Sequence, residues 1–284
     1  MKKSTWFLII LSFTRINAQE PSVDNKYALI TGVSRGIGRA IAENLMHRGI
    51  IVVGIARAPE SQIQELIQNE RFIYFQTDLG TPKGLTNFDE FIHSNNFTFD
   101  IIIHNAAIID HNYLADANIQ NLEKVIAINL LAPMKLAHIL SDTYRPYARI
   151  ACISSGAAFY PIKQLGAYCI SKAGLEMLVQ VLRAEYEQHN IGIVSIIPGV
   201  VDTDMQCILR ENTQAETQAD FQALYDQNEL ISPTLSAAYI ASLMCDISFR
   251  RYKRKALWDI DERSIFQLLR KKSIKLRKRS VKYL

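Results

Sequence analysis

A chain of 284 residues that is 49% hydrophobic and 21% charged has the composition of an ordinary globular protein, which excludes a wholly disordered chain, and its apolar runs are too short to span a bilayer. The net charge of +4 belongs to one end: eight of the 32 Lys and Arg residues lie in 264–284, which holds no acid, leaving 24 basic against 28 acidic residues in the rest. No nucleic-acid partner is expected of such a body. Four dispersed cysteines, Cys152, Cys169, Cys207 and Cys245, have neither metal-site pairing nor the density of a disulfide framework, so reduced, mostly buried thiols and no metal are expected.

In chain order, residues 1–20 (MKKSTWFLIILSFTRINAQE) combine two lysines, an apolar run over 6–13 and a cleavage-like point after Ala18, a pattern that resembles a secretory signal. Arg15 and Ile16 interrupt it. An N-terminal extension of a cytoplasmic protein is the expectation, with export the alternative. From Lys26, KYALIT reads as a buried strand, and Ile37, Ile41 and Leu45 recur at helical spacing up to Gly49. Strands follow at 50–56, 71–76, 99–104, 149–153, 191–197 and 256–260. Helical stretches lie after Pro59, before Asn95, over 119–129 and 133–142, around Tyr168, and from Pro233 towards Cys245. The polar segment 206–231 is expected to cover the substrate. Such alternation predicts an α/β fold, a single Rossmann-type doubly wound parallel sheet with helices on both faces, over 25–263. Residues 1–24 precede it, and the basic tail 264–284 has Ile265, Leu268, Leu269 and Leu276 for a short amphipathic helix.

TGVSRGIG (31–38) sits where the first strand hands over to a helix. There Gly32 permits a tight turn, Gly36 lets the backbone approach a pyrophosphate, and Gly38 allows close helix packing, with the helix N-terminus facing the anion. Ser34, Arg35 and Ile37 within the turn count as contacts of the same dinucleotide. At the end of the second strand the chain reads GIAR, without the acid that would hold the ribose 2′-OH of NAD; Arg35 and Arg57 instead suit the 2′-phosphate of NADP. Solvated surface charge is the alternative for each arginine.

Tyr168 and Lys172 are four residues apart and share one helix face, while Ser155 closes the strand before them. An adjacent ammonium stabilises a phenolate and is expected to lower the tyrosine pKa, and a serine hydroxyl aimed at the same point holds a carbonyl. The three residues predict proton transfer to a carbonyl oxygen.

The ordered set TGxxxGxG, Asp78, HNAA (104–107), Asn129, Ser155 with Tyr168 and Lys172, then PGVVDTDM (198–205), resembles the short-chain dehydrogenase/reductase family over 26–262. Within it, SGAA, AYCISKAGLEM and PGVVDTDMQ are more similar to the branch of sepiapterin and benzil reductases. The resemblance implies that Tyr168 is the acid/base, that Lys172 lowers its pKa and binds the nicotinamide ribose, and that Ser155 orients the carbonyl. It implies that Asn129 holds a relay water, a helix-bend role being the alternative. Asp78 and Leu79 would flank the adenine, although Asp78 also suits a helix cap. Asn105, Ala106, Pro198, Gly199, Val201 and Thr203 would contact the cofactor, and Gly199 and Asp259 the substrate, a structural partner for Asp259 being the alternative. Ala107 replaces the family's usual glycine, a strain if positive φ is needed there. His104 is expected to be a satisfied structural histidine. The implied protein is an NADPH-dependent reductase of small carbonyl compounds, a vicinal dicarbonyl above all, and a homodimer or homotetramer. Alcohol oxidation with NAD and a non-catalytic NADP(H) sensor are the rivals.

Overall fold

The computed structural model describes residues 25–212 and 215–260. The extension 1–24, residues 261–263 and the basic tail 264–284, with its expected amphipathic helix, lie outside the described residues. Seven strands, β1 (Tyr27–Thr31), β2 (Ile51–Ala56), β3 (Phe72–Gln76), β4 (Phe99–His104), β5 (Tyr144–Ile153), β6 (Gly192–Ile197) and β7 (Leu257–Asp259), form one sheet in the order β3-β2-β1-β4-β5-β6-β7. Every pairing is parallel. The order reverses between β1 and β4, so crossovers leave to opposite faces there and open a crevice at the carboxyl ends of the strands.

Two-residue alternation along the strands feeds two cores. Ala28, Ile30, Val52, Ile101, Ile103, Ala151, Val194 and Ile196 pack beneath α1 (Gly36–His47) and α9 (Pro233–Cys245). Leu29, Val53, Ile102, Ile150, Cys152 and Ile193 pack beneath α3 (Pro82–Ser94), α5 (Ala132–Ile139) and α6 (Gly166–Glu185). The helices start where local chemistry tells them to: Thr81 accepts from Gly84 N with Pro82 in the first turn of α3, and Ser232 accepts from Leu235 N with Pro233 in the first turn of α9.

Several elements differ from the sequence pattern. After Pro59 there is only a 3₁₀ turn (Glu60–Gln62) and the short α2 (Gln64–Ile67). α4 (Ile119–Ile126) runs into α5 without a break, through the π-helical turn Ala127–Leu131. β5 begins five residues earlier than the apolar run suggests; Pro146, which cannot donate to a ladder, and Tyr147 at φ +68° disguise its first half, where the register against β4 shifts. The polar segment forms α7 (Asp204–Asn212) and α8 (Ala215–Asp226), and α10 (Phe249–Arg254) precedes β7. Among the cysteines only Cys152 is buried, whereas the other three free thiols are half-buried, so the expectation of mostly buried thiols is corrected.

Candidate active site

The glycine turn between β1 and α1 is held by backbone contacts too close for a side chain. Gly32 and Gly36 have φ of +75° and +58°, a region L-residues avoid. A Cβ on Gly38 would lie 2.2 Å from the Gly32 carbonyl oxygen, and one on Gly32 would lie 2.9 Å from Ala106 Cα. Asn105 ties this turn to the end of β4: its Nδ2 donates to the carbonyls of Thr31 and Gly32 at 3.0 and 3.1 Å, while Thr31 Oγ1 accepts from the Asn105 and Ala106 N–H groups. Ala107 is not among the residues with positive φ, so the alanine is accommodated without that strain. His104 corrects its expectation. It is buried with Nδ1 unpartnered among the described residues, and burial pulls its pKa down to about 4, which keeps the ring neutral.

From this turn a cleft of about 1570 Å³ runs along the carboxyl edge of the sheet. Every residue expected to touch cofactor or substrate lines it except Gly38, which is packed behind the turn, and Asn129. At the β2 end, Arg57 stands 4.0 Å from Asp78, whose Oδ1 accepts from Gly80 N, and the Arg35 guanidinium bonds Asp204 at 2.8 Å. Val201 forms a bridge with Ile231, and Thr203 Cγ2 lies 3.3 Å from where a Gly36 Cβ would be. Asp259, exposed at the end of β7 and paired in register with Ile197, closes the other end. The cramped glycine turn at a helix start, with guanidinium groups flanking it, fits the pyrophosphate and phosphate groups of a dinucleotide.

Ser155, Tyr168 and Lys172 converge midway along the cleft. The Ser155 side chain hydrogen-bonds the Tyr168 hydroxyl and also accepts from Ala157 N at 3.2 Å. Lys172 Nζ lies 5.6 Å from the Tyr168 ring centroid and donates to the Ile153 carbonyl at 2.7 Å. The expected lowering of the phenol pKa is not what the geometry gives. Burial pushes Tyr168 up to about 12, against the opposing hydrogen bond from Ser155, and pulls Lys172 down to about 8, against the neighbouring Cys152 and Glu176. The phenol therefore keeps its proton at neutral pH.

Asn129 sits in the π-helical turn, a distortion that turns its amide towards the loop after β4. Its Oδ1 accepts from Ile108 N, and its Nδ2 donates to Ile108 O and Ser171 Oγ at 2.9 and 3.0 Å. These bonds make its side chain a clamp between that loop and α6. Sequence reasoning missed other parts of the wall: Ser154 beside Ser155, and the apolar Ile108, Ile162, Leu165, Phe221 and Leu224. They come from loops and from α8, where no spacing rule marks a lining residue.

The chain belongs to the short-chain dehydrogenase family, whose model matches residues 26–214, and it is an oxidoreductase of the kind that uses a nicotinamide cofactor. It is 34% identical over 237 residues to benzil reductase ((S)-benzoin forming) of Bacillus cereus, an alignment that covers 77% of this chain and 94% of that protein. Sepiapterin reductase of Mus musculus is 29% identical over 244 residues, covering 78% and 92%. Among solved structures, a short chain dehydrogenase/reductase from Saccharomyces cerevisiae superposes with a TM-score of 0.75 at 25% identity, over 84% of this chain and 98% of that one.

Proposed function

We propose that residues 25–263 form an NADPH-dependent carbonyl reductase acting on a small ketone, most fittingly one of two adjacent carbonyls carried by an apolar or aromatic framework. The observation that carries this reading is the meeting of Ser155, Tyr168 and Lys172 in the cleft with the phenol held in its protonated form. A bound nicotinamide would supply the hydride to the carbonyl carbon. Tyr168 then passes its hydroxyl proton to the carbonyl oxygen as the C=O bond becomes C–OH. Ser155 holds that oxygen by a hydrogen bond, and the Lys172 ammonium stabilises the phenolate left behind until it is reprotonated. Oxidation of an alcohol would need Tyr168 as phenolate, which its burial opposes.

Arg35 and Arg57, with no acid at the end of β2, support NADP over NAD. The likeness to benzil and sepiapterin reductases and the apolar wall formed by Ile108, Ile162, Leu165 and Leu224 support the dicarbonyl, with Gly199 and Asp259 at its far end. We read the chain as a homo-oligomer as well, a reading supported by the exposed apolar stripe Ile170, Met177 and Val181 along α6. Four free thiols support a reducing, cytoplasmic setting, and among the described residues no helix is long and apolar enough to cross a membrane. The test is Tyr168→Phe, assayed with NADPH and benzil. The expected outcome is a fall in kcat of roughly 10²–10⁴-fold with NADPH binding retained, the usual contribution of a positioned acid. Undiminished turnover would remove Tyr168 from the chemistry and the reading with it.

A further inference from the structure

Ser154 follows the last residue of β5, and its N–H donates to the Ile196 carbonyl at 2.8 Å, so it prolongs the ladder by one position. Side chains alternate along a strand. Cys152 packs in the layer beneath α6, and by that alternation Ser154, two residues on, falls on the same face. The residue is 2% exposed, and among the described residues its hydroxyl has no hydrogen-bond partner, yet it forms part of the cleft wall. Its neighbours are already engaged: the Ile153 carbonyl accepts from Lys172 Nζ, and Ser155 bonds Tyr168.

A buried hydroxyl with no partner destabilises a fold, and alanine would fill the same space without that cost. Other buried polar atoms share the lack of a partner, but His104 does not line the cleft, and Gln206, which does, is only half-buried on α7. Ser154 alone among these combines deep burial with a place on the cleft wall beside Lys172. A serine hydroxyl both donates and accepts, so the fitting partner is a small polar group such as a sugar hydroxyl or a carboxamide. We propose that Ser154 is a cofactor-binding residue whose hydroxyl hydrogen-bonds the nicotinamide-ribose half of the dinucleotide. The inference rests on the dinucleotide reading given above.

The experiment measures three quantities for wild type and Ser154→Ala: the Kd of NADPH, the Kd of 2′,5′-ADP, which lacks the nicotinamide half, and the Tm of the ligand-free protein. The expected result is an NADPH Kd about tenfold weaker in the variant, the loss of one well-placed hydrogen bond. The Kd of 2′,5′-ADP stays the same, and the Tm is unchanged or higher. An NADPH Kd equal to wild type overturns the assignment. So does a parallel weakening of both ligands with a lower Tm, the mark of a structural serine. Failure of the wild type itself to bind NADPH overturns the dinucleotide reading, and this inference falls with it.

Discussion

The glycine turn and the α7–α8 cover face each other across the cleft and are held by different forces. The turn is fixed by backbone: Gly38 lies so close to the Gly32 carbonyl, and Gly32 to the Ala106 backbone, that neither glycine has room for a Cβ, and the Asn105 amide spends its donors on the carbonyls of Thr31 and Gly32. The cover is fixed by side chains. Arg210 on α7 stands 3.7 Å from Asp202, stacks 4.4 Å over the Tyr225 ring of α8, and its carbonyl accepts from Gln218 Nε2 at 2.5 Å. Backbone packing of the first kind fixes one geometry, whereas contacts of the second kind can open without disturbing the sheet. Of the two walls of the cleft, the glycine turn is thus the stiffer and the α7–α8 pair the one that can yield.

Breaking the turn is expected to have the largest effect. Gly38→Ala would gain roughly 1 kcal/mol of helix propensity, but the new methyl overlaps the Gly32 carbonyl and Asn105 Nδ2, and neither can retreat without undoing the turn. Calorimetry with NADPH should show binding weakened at least about tenfold and a lowered Tm, since the overlap lies against backbone. An unchanged Kd would show that the turn is softer than its contacts imply.

Lys172 lines the same cleft, bonded to the Ile153 carbonyl and, among the described residues, not to the glycine turn or α7–α8. In the proposed mechanism its ammonium stands beside the phenolate, and burial brings its pKa down to about 8, so kcat/KM is expected to fall as pH rises through about 8. Stability moves the other way: between about 8 and 10 the unfolded lysine still binds its proton while the folded one has lost it, and stability rises with pH on this residue's account. The activity loss is therefore not unfolding. Glu176, one helical turn beyond Lys172 and bonded through Oε2 to Ser195 Oγ at 2.8 Å, pushes the lysine pKa up. Glu176→Gln should move the falling limb of the pH profile to lower pH, and a limb that stays in place would separate Glu176 from this charge.

Loosening the cover should act on substrate alone. Arg210→Ala removes the stack on Tyr225 and the pairing with Asp202, so KM for a diketone is expected to rise about five- to tenfold, while the NADPH Kd changes less than about twofold. Equal damage to both constants would mean that turn and cover form one rigid unit.

What the sequence disclosed follows the same division. The turn was legible because a close approach admits only glycine, and Tyr168 with Lys172 was legible because four residues make one helical face. The cover and the apolar wall were not, since Arg210, Tyr225, Ile162 and Leu165 meet through tertiary contacts that leave no spacing. Asn129 was found by its motif, yet its orientation depends on a π-helical turn that no local pattern announces. The early start of β5 was hidden by Pro146, and the lack of a partner for His104 Nδ1 depends on groups brought near it from other strands.

The smallest expected effect lies where the two regions touch. Arg35 of the turn reaches Asp204 at the start of α7, a pair whose side chains are 69% and 63% exposed, so solvent screens it and little stability rides on it. The same guanidinium is the one suited to a 2′-phosphate, and Asp204 competes for it. Asp204→Ala should therefore leave Tm within about a degree or two and tighten NADPH binding about two- to threefold, the scale of an exposed ion pair. NADH, without the extra phosphate, gains nothing, and added salt erases the difference as screening removes both interactions. Equal tightening for NADPH and NADH would place Arg35 away from the 2′-phosphate and leave Arg57 as the residue that discriminates between the cofactors.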